Sequence, residues 1–355
     1  MIGVLREVFD IFLPEEEFDS FEELTSGHIN DTFLVSTNQH HKDVYQKINK
    51  GVFPDVPGLI MNKVKLSRHL HHKLSGLTEE ERQRRILTFL HSSDGKDFYI
   101  DSNGDFWNVT VFIDHSQTFE TVTDSKVAYE GGKLFGEFFQ LTQDLDPSDL
   151  VEVIPRFHDM TFRFEQFEAS LQNASQERIQ KAQVYIDKVI GLKKEMHILQ
   201  ELKNKGQIRL RVTHNDTKIS NALFDLEGMG LCVIDTDTIM PGIIHYDFGD
   251  AIRTICNTAA EDEQDLEKVE FNTEFYEAYT KGFLEKTGDA VSDLERKYFP
   301  LAAKTMIFIM ALRFLTDYLN NDIYYKTSFP EHNLVRSANQ FKLIESFEEV
   351  MGKVS

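Results

Sequence analysis

Two short stretches concentrate the residue types that phosphate chemistry needs. Residues 213–221 read Thr-His-Asn-Asp-Thr-Lys-Ile-Ser-Asn, and residues 233–238 read Val-Ile-Asp-Thr-Asp-Thr. Phosphoryl transfer calls for a carboxylate to orient the attacking hydroxyl and oxygen ligands to hold Mg2+ on the nucleotide phosphates, because most of the catalysis is positioning and charge stabilisation. Asp216 can accept the hydroxyl's hydrogen bond and so takes the part of catalytic base. Asn221 can turn its amide oxygen to the metal, and Asp235 can return across a hairpin as the second ligand. Asn and Asp also favour turns and caps for purely local reasons. That alternative covers one motif better than it covers a His-x-Asp-x4-Asn pattern followed by strand, turn and a second strand ending in Asp.

The elements that must position these groups are legible in outline. Residues 32–36 and 43–48 read as strands around the polar turn 38–42, and residues 97–100 and 106–113 flank a turn containing Asn103-Gly104. Between the two pairs, Leu59, Val64, Leu66, Leu70 and Leu74 recur at helical spacing, which predicts a helix against a small antiparallel sheet. From Ser125 onward the pattern turns helical. Val127, Ala128, Leu134, Phe135, Phe138 and Leu141 mark one helix, and residues 164–202 hold a long helix or helical hairpin. Short β-rich runs at 208–212 and 231–234 bracket the chemistry-bearing loop. The fold class expected is α+β, with a sheet-containing lobe over residues 1–115 and a larger, mainly helical one over 116–355.

Composition limits the partners. With 38 basic against 59 acidic residues among 355, the formal charge is -21, and no dense Lys/Arg tract builds a cationic groove. Nucleic acid and anionic membranes are poor partners for such a chain. An anionic nucleotide can bind only where a metal or a few local cations reverse the field. Cys232 and Cys256 are the only cysteines, which suits a reducing cytoplasm. Residues 1–12 interleave apolar residues with Arg6, Glu7 and Asp10, unlike a secretory signal, and the longest apolar run, 306–312, falls far short of the ~20 residues of a membrane span.

The strings H-N-D-T-K-I-S-N and I-D-T-D resemble the catalytic and metal-binding loops of the aminoglycoside phosphotransferase and choline kinase superfamily. More closely, the chain resembles bacterial N-acetylhexosamine 1-kinases, through residues 27–35, 52–55, 157–164, 238–242, 246–253 and 329–336. The resemblance implies a bilobal, protein-kinase-like fold, ATP with Mg2+ in the cleft, and phosphorylation of the anomeric hydroxyl of N-acetylglucosamine or N-acetylgalactosamine. It implies a hinge for the adenine near Phe112 and Ile113, where an ordinary buried strand end explains the same residues. It puts a phosphate-covering loop at 27–32, where Asn30 and Thr32 compensate for missing glycines unless the segment is a plain hairpin turn. His214 is expected to be a structural hydrogen-bonding residue, and Asp247 and Arg253 to brace the catalytic loop.

Two positions depart from that pattern or stay open. The third strand of a kinase-like small lobe usually offers a lysine to the phosphates, paired with a helical Glu; here the position is Gln46, while Lys47 points to the other face. A neutral donor in place of the cation leaves more of the phosphate charge to Mg2+. Arg313 lies in a strongly apolar helix, where an unpaired guanidinium costs several kcal/mol. The resemblance puts Arg313 and Tyr324 beside the sugar, with Asp216 also touching the acceptor; the alternative is an ion pair from Arg313 to Asp317 or Asp250.

Overall fold

In the computed structural model, which describes residues 2–24 and 29–352, the smaller lobe is built on period-two alternation. Its elements are α1 (Ile2–Phe12), β1 (Phe18–Glu23), β2 (Asp31–Thr37), β3 (Lys42–Lys47), α2 (Val56–Lys73), α3 (Glu79–Arg85), β4 (Tyr99–Ile100) and β5 (Phe106–Val111). The strands form one antiparallel sheet in the order β1-β2-β3-β5-β4. Phe33, Val35, Tyr45, Trp107 and Val109 point to one side and pack on Leu5, Val8 and Phe9 of α1. Thr32 and Gln46 are cross-strand partners and therefore share a face, while Lys47 pairs with Asp31 at 2.6 Å. Helix α2 starts where the Asp55 side chain accepts from the Gly58 N–H at 3.0 Å, with Pro57 in its first turn. It buries Leu59, Ile60 and Val64 in a cluster that includes Ile48 of the small lobe and Met240 of the large one.

The larger lobe begins as the chain leaves that sheet. Its strands are β6 (Ser116–Gln117), β7 (Arg211–Thr213), β8 (Ala222–Asp225), β9 (Gly230–Val233) and β10 (Met240–Gly242). Its helices are α4 (Ser125–Thr142), α5 (Met160–Asn173), α6 (Gln176–Met196), α7 (Ile198–Asn204), α8 (Ile244–Ile255), α9 (Thr273–Thr287), α10 (Asp293–Lys297), α11 (Phe299–Leu319) and α12 (His332–Met351). The hairpin β8–β9 carries β6 on its edge, whereas β7 pairs with β10, so the two β-rich runs read in the sequence belong to different sheets. The β7–β10 ribbon is tight: a Cβ on Gly242 would come within 2.2 Å of the Thr213 hydroxyl. Likewise a Cβ on Gly249 would meet the Ala302 carbonyl at 2.3 Å, so α8 lies directly on α11. Helix α11 is long and apolar enough by length and composition to cross a membrane, which the apolar run 306–312 alone did not suggest. Here 78% of that window is buried, and the helix is the axis of the large-lobe core. The architecture is a protein-kinase-like fold, antiparallel sheet above, helices below.

Candidate active site

His214, Asn215 and Thr217 of the loop between β7 and β8 are held from behind by α8. Asp247, on the first turn of α8, accepts the N–H groups of His214 and Asn215, both at 2.7 Å. Asp250, one turn further, accepts from the Thr217 N–H at 3.1 Å and from Arg253 Nε at 3.0 Å; Arg253 also reaches Glu261 at 2.9 Å. The Thr217 hydroxyl donates to the Asp247 carbonyl at 2.5 Å. Asn215 is left-handed, with φ 64°, a conformation costly for most side chains; its amide donates to the Thr213 hydroxyl and the Thr238 carbonyl. Asp247 and Asp250 are thus two carboxylates of one helix that both accept loop N–H groups, with Arg253 paired to the second.

His214 is fully buried, edge-on to Phe135 and Phe138. Its Nε2 lies 2.8 Å from the Ile234 carbonyl, and its Nδ1 accepts from the Asp216 N–H at 3.3 Å. That pair of contacts requires the neutral Nε2–H tautomer, and burial holds the imidazole below its usual range even beside Asp216. Both nitrogens are occupied in holding Asp216 against the β8–β9 hairpin.

Asp216 itself faces the cleft, with 34% of its side chain exposed. It accepts from Asn221 Nδ2 at 2.8 Å and pairs with Lys218 at 3.3 Å. Burial alone would raise its carboxyl, but Lys218, His214 and the Asn221 amide outweigh it and hold Asp216 below the usual carboxylate range. Asn221 spends its amide nitrogen on Asp216, which leaves the amide oxygen for a ligand. The Asn221 carbonyl accepts the Ile234 N–H at 2.9 Å, so Asp235 follows directly from Asn221's cross-strand neighbour. Asp235 is also left-handed, at φ 56°. Burial, then the neighbouring carboxylates of Asp237 and Asp216, push its carboxyl up to about 7.

Above these residues, side chains of the small lobe meet the Asp237 carboxylate. Gln46 Nε2 donates to Asp237 at 3.0 Å, and Asn30 Nδ2 donates to the same carboxylate oxygen. Asn30 and Gln46 therefore spend these donors on a protein carboxylate. Nor is the site without a small-lobe cation: Lys63 of α2 forms a buried ion pair with Asp237 and donates to Gln46 Oε1 at 2.7 Å. The sequence reading missed Lys63 and Asp237, and it passed over Lys218, whose position two residues after Asp216 was available as a signal. Thr32 lies half-buried on the Gln46 side of β2. At the strand end, the Phe112 N–H is taken by the Lys42 carbonyl at 3.1 Å and the Ile113 carbonyl by the Ser116 hydroxyl at 2.6 Å. Gly27 and His28 of the loop at 27–32 lie outside the described residues.

A cavity of about 420 Å³ is lined in part by Phe157, Arg163, Arg313, Tyr324 and Tyr325. Arg313 has no carboxylate partner among the described residues. Asp317 instead accepts the N–H groups of Tyr324 and Tyr325 and the Asn333 amide, and Asp250 is paired with Arg253. The Arg313 guanidinium lies over the rings of Phe157, Tyr324 and Tyr325, 5.4–5.9 Å from their centroids. Burial and the nearby Arg313 charge lower Arg163 to about 10. His158, buried between Phe157 and Tyr246, adjoins the Asn215 backbone; burial and the two guanidiniums hold its imidazole well below its usual range. His158 thus links the Asn215 end of the loop to Phe157 at the cavity wall.

A bilobal fold with a braced Asp-Asn-Asp set in its cleft defines a kinase-type phosphotransferase. The family model described as "Phosphotransferase enzyme family" matches residues 20–284, and the chain belongs to that family. Similar solved structures include a microcompartment-associated aminopropanol kinase (TM-score 0.62, 13% identity, covering 100% of both chains). An amicoumacin kinase in complex with AMP-PNP and Ca2+ gives TM-score 0.61 at 12% identity, covering 98% of this chain and 96% of that one. The choline kinase of Cryptosporidium parvum gives 0.57 at 16%, covering 99% and 96%. At these identities the likeness is one of fold.

Proposed function

We propose that this protein is an ATP- and Mg2+-dependent kinase that phosphorylates the anomeric hydroxyl of a free N-acetylhexosamine, N-acetylglucosamine or N-acetylgalactosamine, to give the α-1-phosphate. The observation that carries the reading is the pairing of a cleft-facing, ionised Asp216 with an adjacent cavity whose free charge is cationic. Residues 1–115 would serve as the nucleotide lobe and 116–355 as the catalytic and acceptor lobe. Asp216 takes the hydrogen bond of the attacking hydroxyl and accepts its proton as the new bond forms. Lys218 stands beside it, its ammonium raised above the usual range because Asp216 and Asp235 outweigh burial, and balances charge on the group in flight. The Phe112 carbonyl and Ile113 N–H remain for the adenine, and Thr32 for the phosphates.

The donor set fits Mg2+. Asn221 offers an amide oxygen, and Asp235 is a carboxylate raised by burial and then by two like charges, whose repulsion a hard cation relieves. Among the described residues no cluster of three or more His, Cys, Asp or Glu side chains could hold a metal unaided. Mg2+ is commonly bound by one or two protein oxygens with phosphate and water completing its shell. When bound, it supplies charge neutralisation on the phosphates.

Arg313 and Arg163 bear on the acceptor. A choline, an aminopropanol or a polycationic aminoglycoside would bring positive charge against two guanidiniums with no free carboxylate near Arg313. A neutral, oxygen-rich sugar with an acetamido carbonyl gives a guanidinium fork what it binds, and Tyr324 adds a ring and a hydroxyl. The test is incubation with ATP, Mg2+ and a panel of free hexoses, N-acetylhexosamines, choline, aminopropanol and an aminoglycoside, followed by phosphorus NMR. An anomeric phosphate on an N-acetylhexosamine alone is expected. Turnover of a cationic acceptor in preference would replace the sugar assignment, and no ADP from any acceptor would withdraw the kinase reading.

A further inference from the structure

In the kinase small lobe the third strand supplies a lysine to the phosphates and the neighbouring helix supplies the glutamate that steadies it. This chain inverts the arrangement. Strand β3 carries the neutral Gln46, and helix α2 carries Lys63, whose side chain is 4% exposed. Its neighbour Asn62, 1% exposed, donates to the carbonyls of Val151 and Ile239, both at 2.8 Å, and so fixes this turn of α2 against the segment that bears Asp237.

An ammonium has three N–H donors. Lys63 gives one to Gln46 Oε1 and one to Asp237 Oδ1, which leaves a third. The two partners bracket the nucleotide's place: Gln46 shares its sheet face with Thr32, and Asp237 comes two residues after Asp235. Other small-lobe lysines near β3 are engaged elsewhere, Lys47 with Asp31 and Lys50 with Asp105. Lys218, beside Asp216, serves the group in flight rather than the phosphates that stay on the nucleotide. In a chain of formal charge -21 the phosphates need a local cation besides the metal.

We propose that Lys63 is that cation: a lysine delivered from α2 acts on the nucleotide phosphates in place of the strand lysine, with Gln46 and Asp237 holding it in position. The proposal rests on reading the cleft as an ATP site. Its test measures binding of Mg-ATP and of adenosine, which lacks phosphates, by calorimetry on the full chain. Lys63→Met should weaken Mg-ATP about 10- to 100-fold, the range of a charge-assisted contact, and leave adenosine within about twofold. Since Lys63→Met strands the buried Asp237, the double variant Lys63→Met/Asp237→Asn removes both charges and should show the same selective loss. Moving the charge back to the strand, Gln46→Lys/Lys63→Gln, should recover part of the Mg-ATP affinity. Equal losses for Mg-ATP and adenosine, or no loss of either, would make Lys63 a structural ion-pair partner and overturn the proposal while leaving the kinase reading in place. Failure of the wild type to bind Mg-ATP would overturn both.

Discussion

Replacing Asp216 by Asn tests the catalytic assignment with little structural disturbance. The Asn oxygen can still accept from Asn221 Nδ2, which lies at 2.8 Å, so the loop keeps its local bond. What is lost is the ion pair with Lys218 at 3.3 Å, between side chains 32% and 34% exposed. A pair that open contributes ~0–1 kcal/mol, and the melting temperature should move by only a few degrees. Removing a base that takes the proton in the transition state typically costs ~10²–10⁴-fold in rate, or about 2.7–5.5 kcal/mol of barrier. The assay is coupled ADP release at saturating Mg-ATP and acceptor, alongside thermal melting and calorimetric Mg-ATP binding. kcat should fall by at least two decades while the fold and nucleotide affinity persist. A folded Asp216→Asn protein with kcat within about tenfold of wild type would place the base elsewhere and refute the reasoning from exposure and bracing.

Asp235, raised to about 7 by burial and by Asp237 and Asp216, must release a proton to bind a cation. Mg-ATP affinity should therefore improve by up to about tenfold from pH 6 to pH 8 and change little above that, with the dependence weakened in Asp235→Asn; equal pH dependence in both proteins rules this out. Asp247, 1% exposed, is raised to about 7 by burial despite accepting two N–H groups. A carboxyl raised on folding keeps a proton that the unfolded chain gives up from about pH 4, so its contribution to stability falls as pH rises from about 4 to about 7. Urea unfolding of Asp247→Asn at pH 5 and pH 8 should show a smaller difference than wild type; an unchanged difference counts against Asp247 as its source. Arg313→Met keeps an apolar stem against Phe157 and removes a charge with no carboxylate partner, so the acceptor KM should rise about tenfold or more, as for a charged hydrogen bond of ~1.5–3 kcal/mol, while the ATP KM and melting temperature stay nearly fixed. A large drop in melting temperature with unchanged acceptor KM would assign Arg313 to structure.

The sequence by itself determined the groups that are local. His214, Asp216 and Asn221 lie on one loop, and Asp235 follows one hairpin later, so residue type and spacing were enough to bring them together. Strands β2 and β3 were legible within a residue or two because alternation has a face to bury. Strand β1 was not, because its burial pattern is nearly all exposed and an edge strand leaves no such signature. Helix α1 shows Leu5, Val8 and Phe9 at helical spacing, yet in the sequence that segment was weighed only as a targeting signal. Tertiary structure alone decided the charges. Lys63 and Asp237 are 174 residues apart, and no periodicity marks a lysine on α2 as the partner of a carboxylate beyond β9. The same holds for Arg313. Its i+4 neighbour Asp317 was a reasonable partner on the helix, but the turn after α11 folds back and presents the Tyr324 and Tyr325 N–H groups to that carboxylate first. A buried charge is matched by whatever the packing brings within about 4 Å, and those neighbours are set by how α2 meets the Asp237 turn and how α5 packs on α11 rather than by any spacing along the chain.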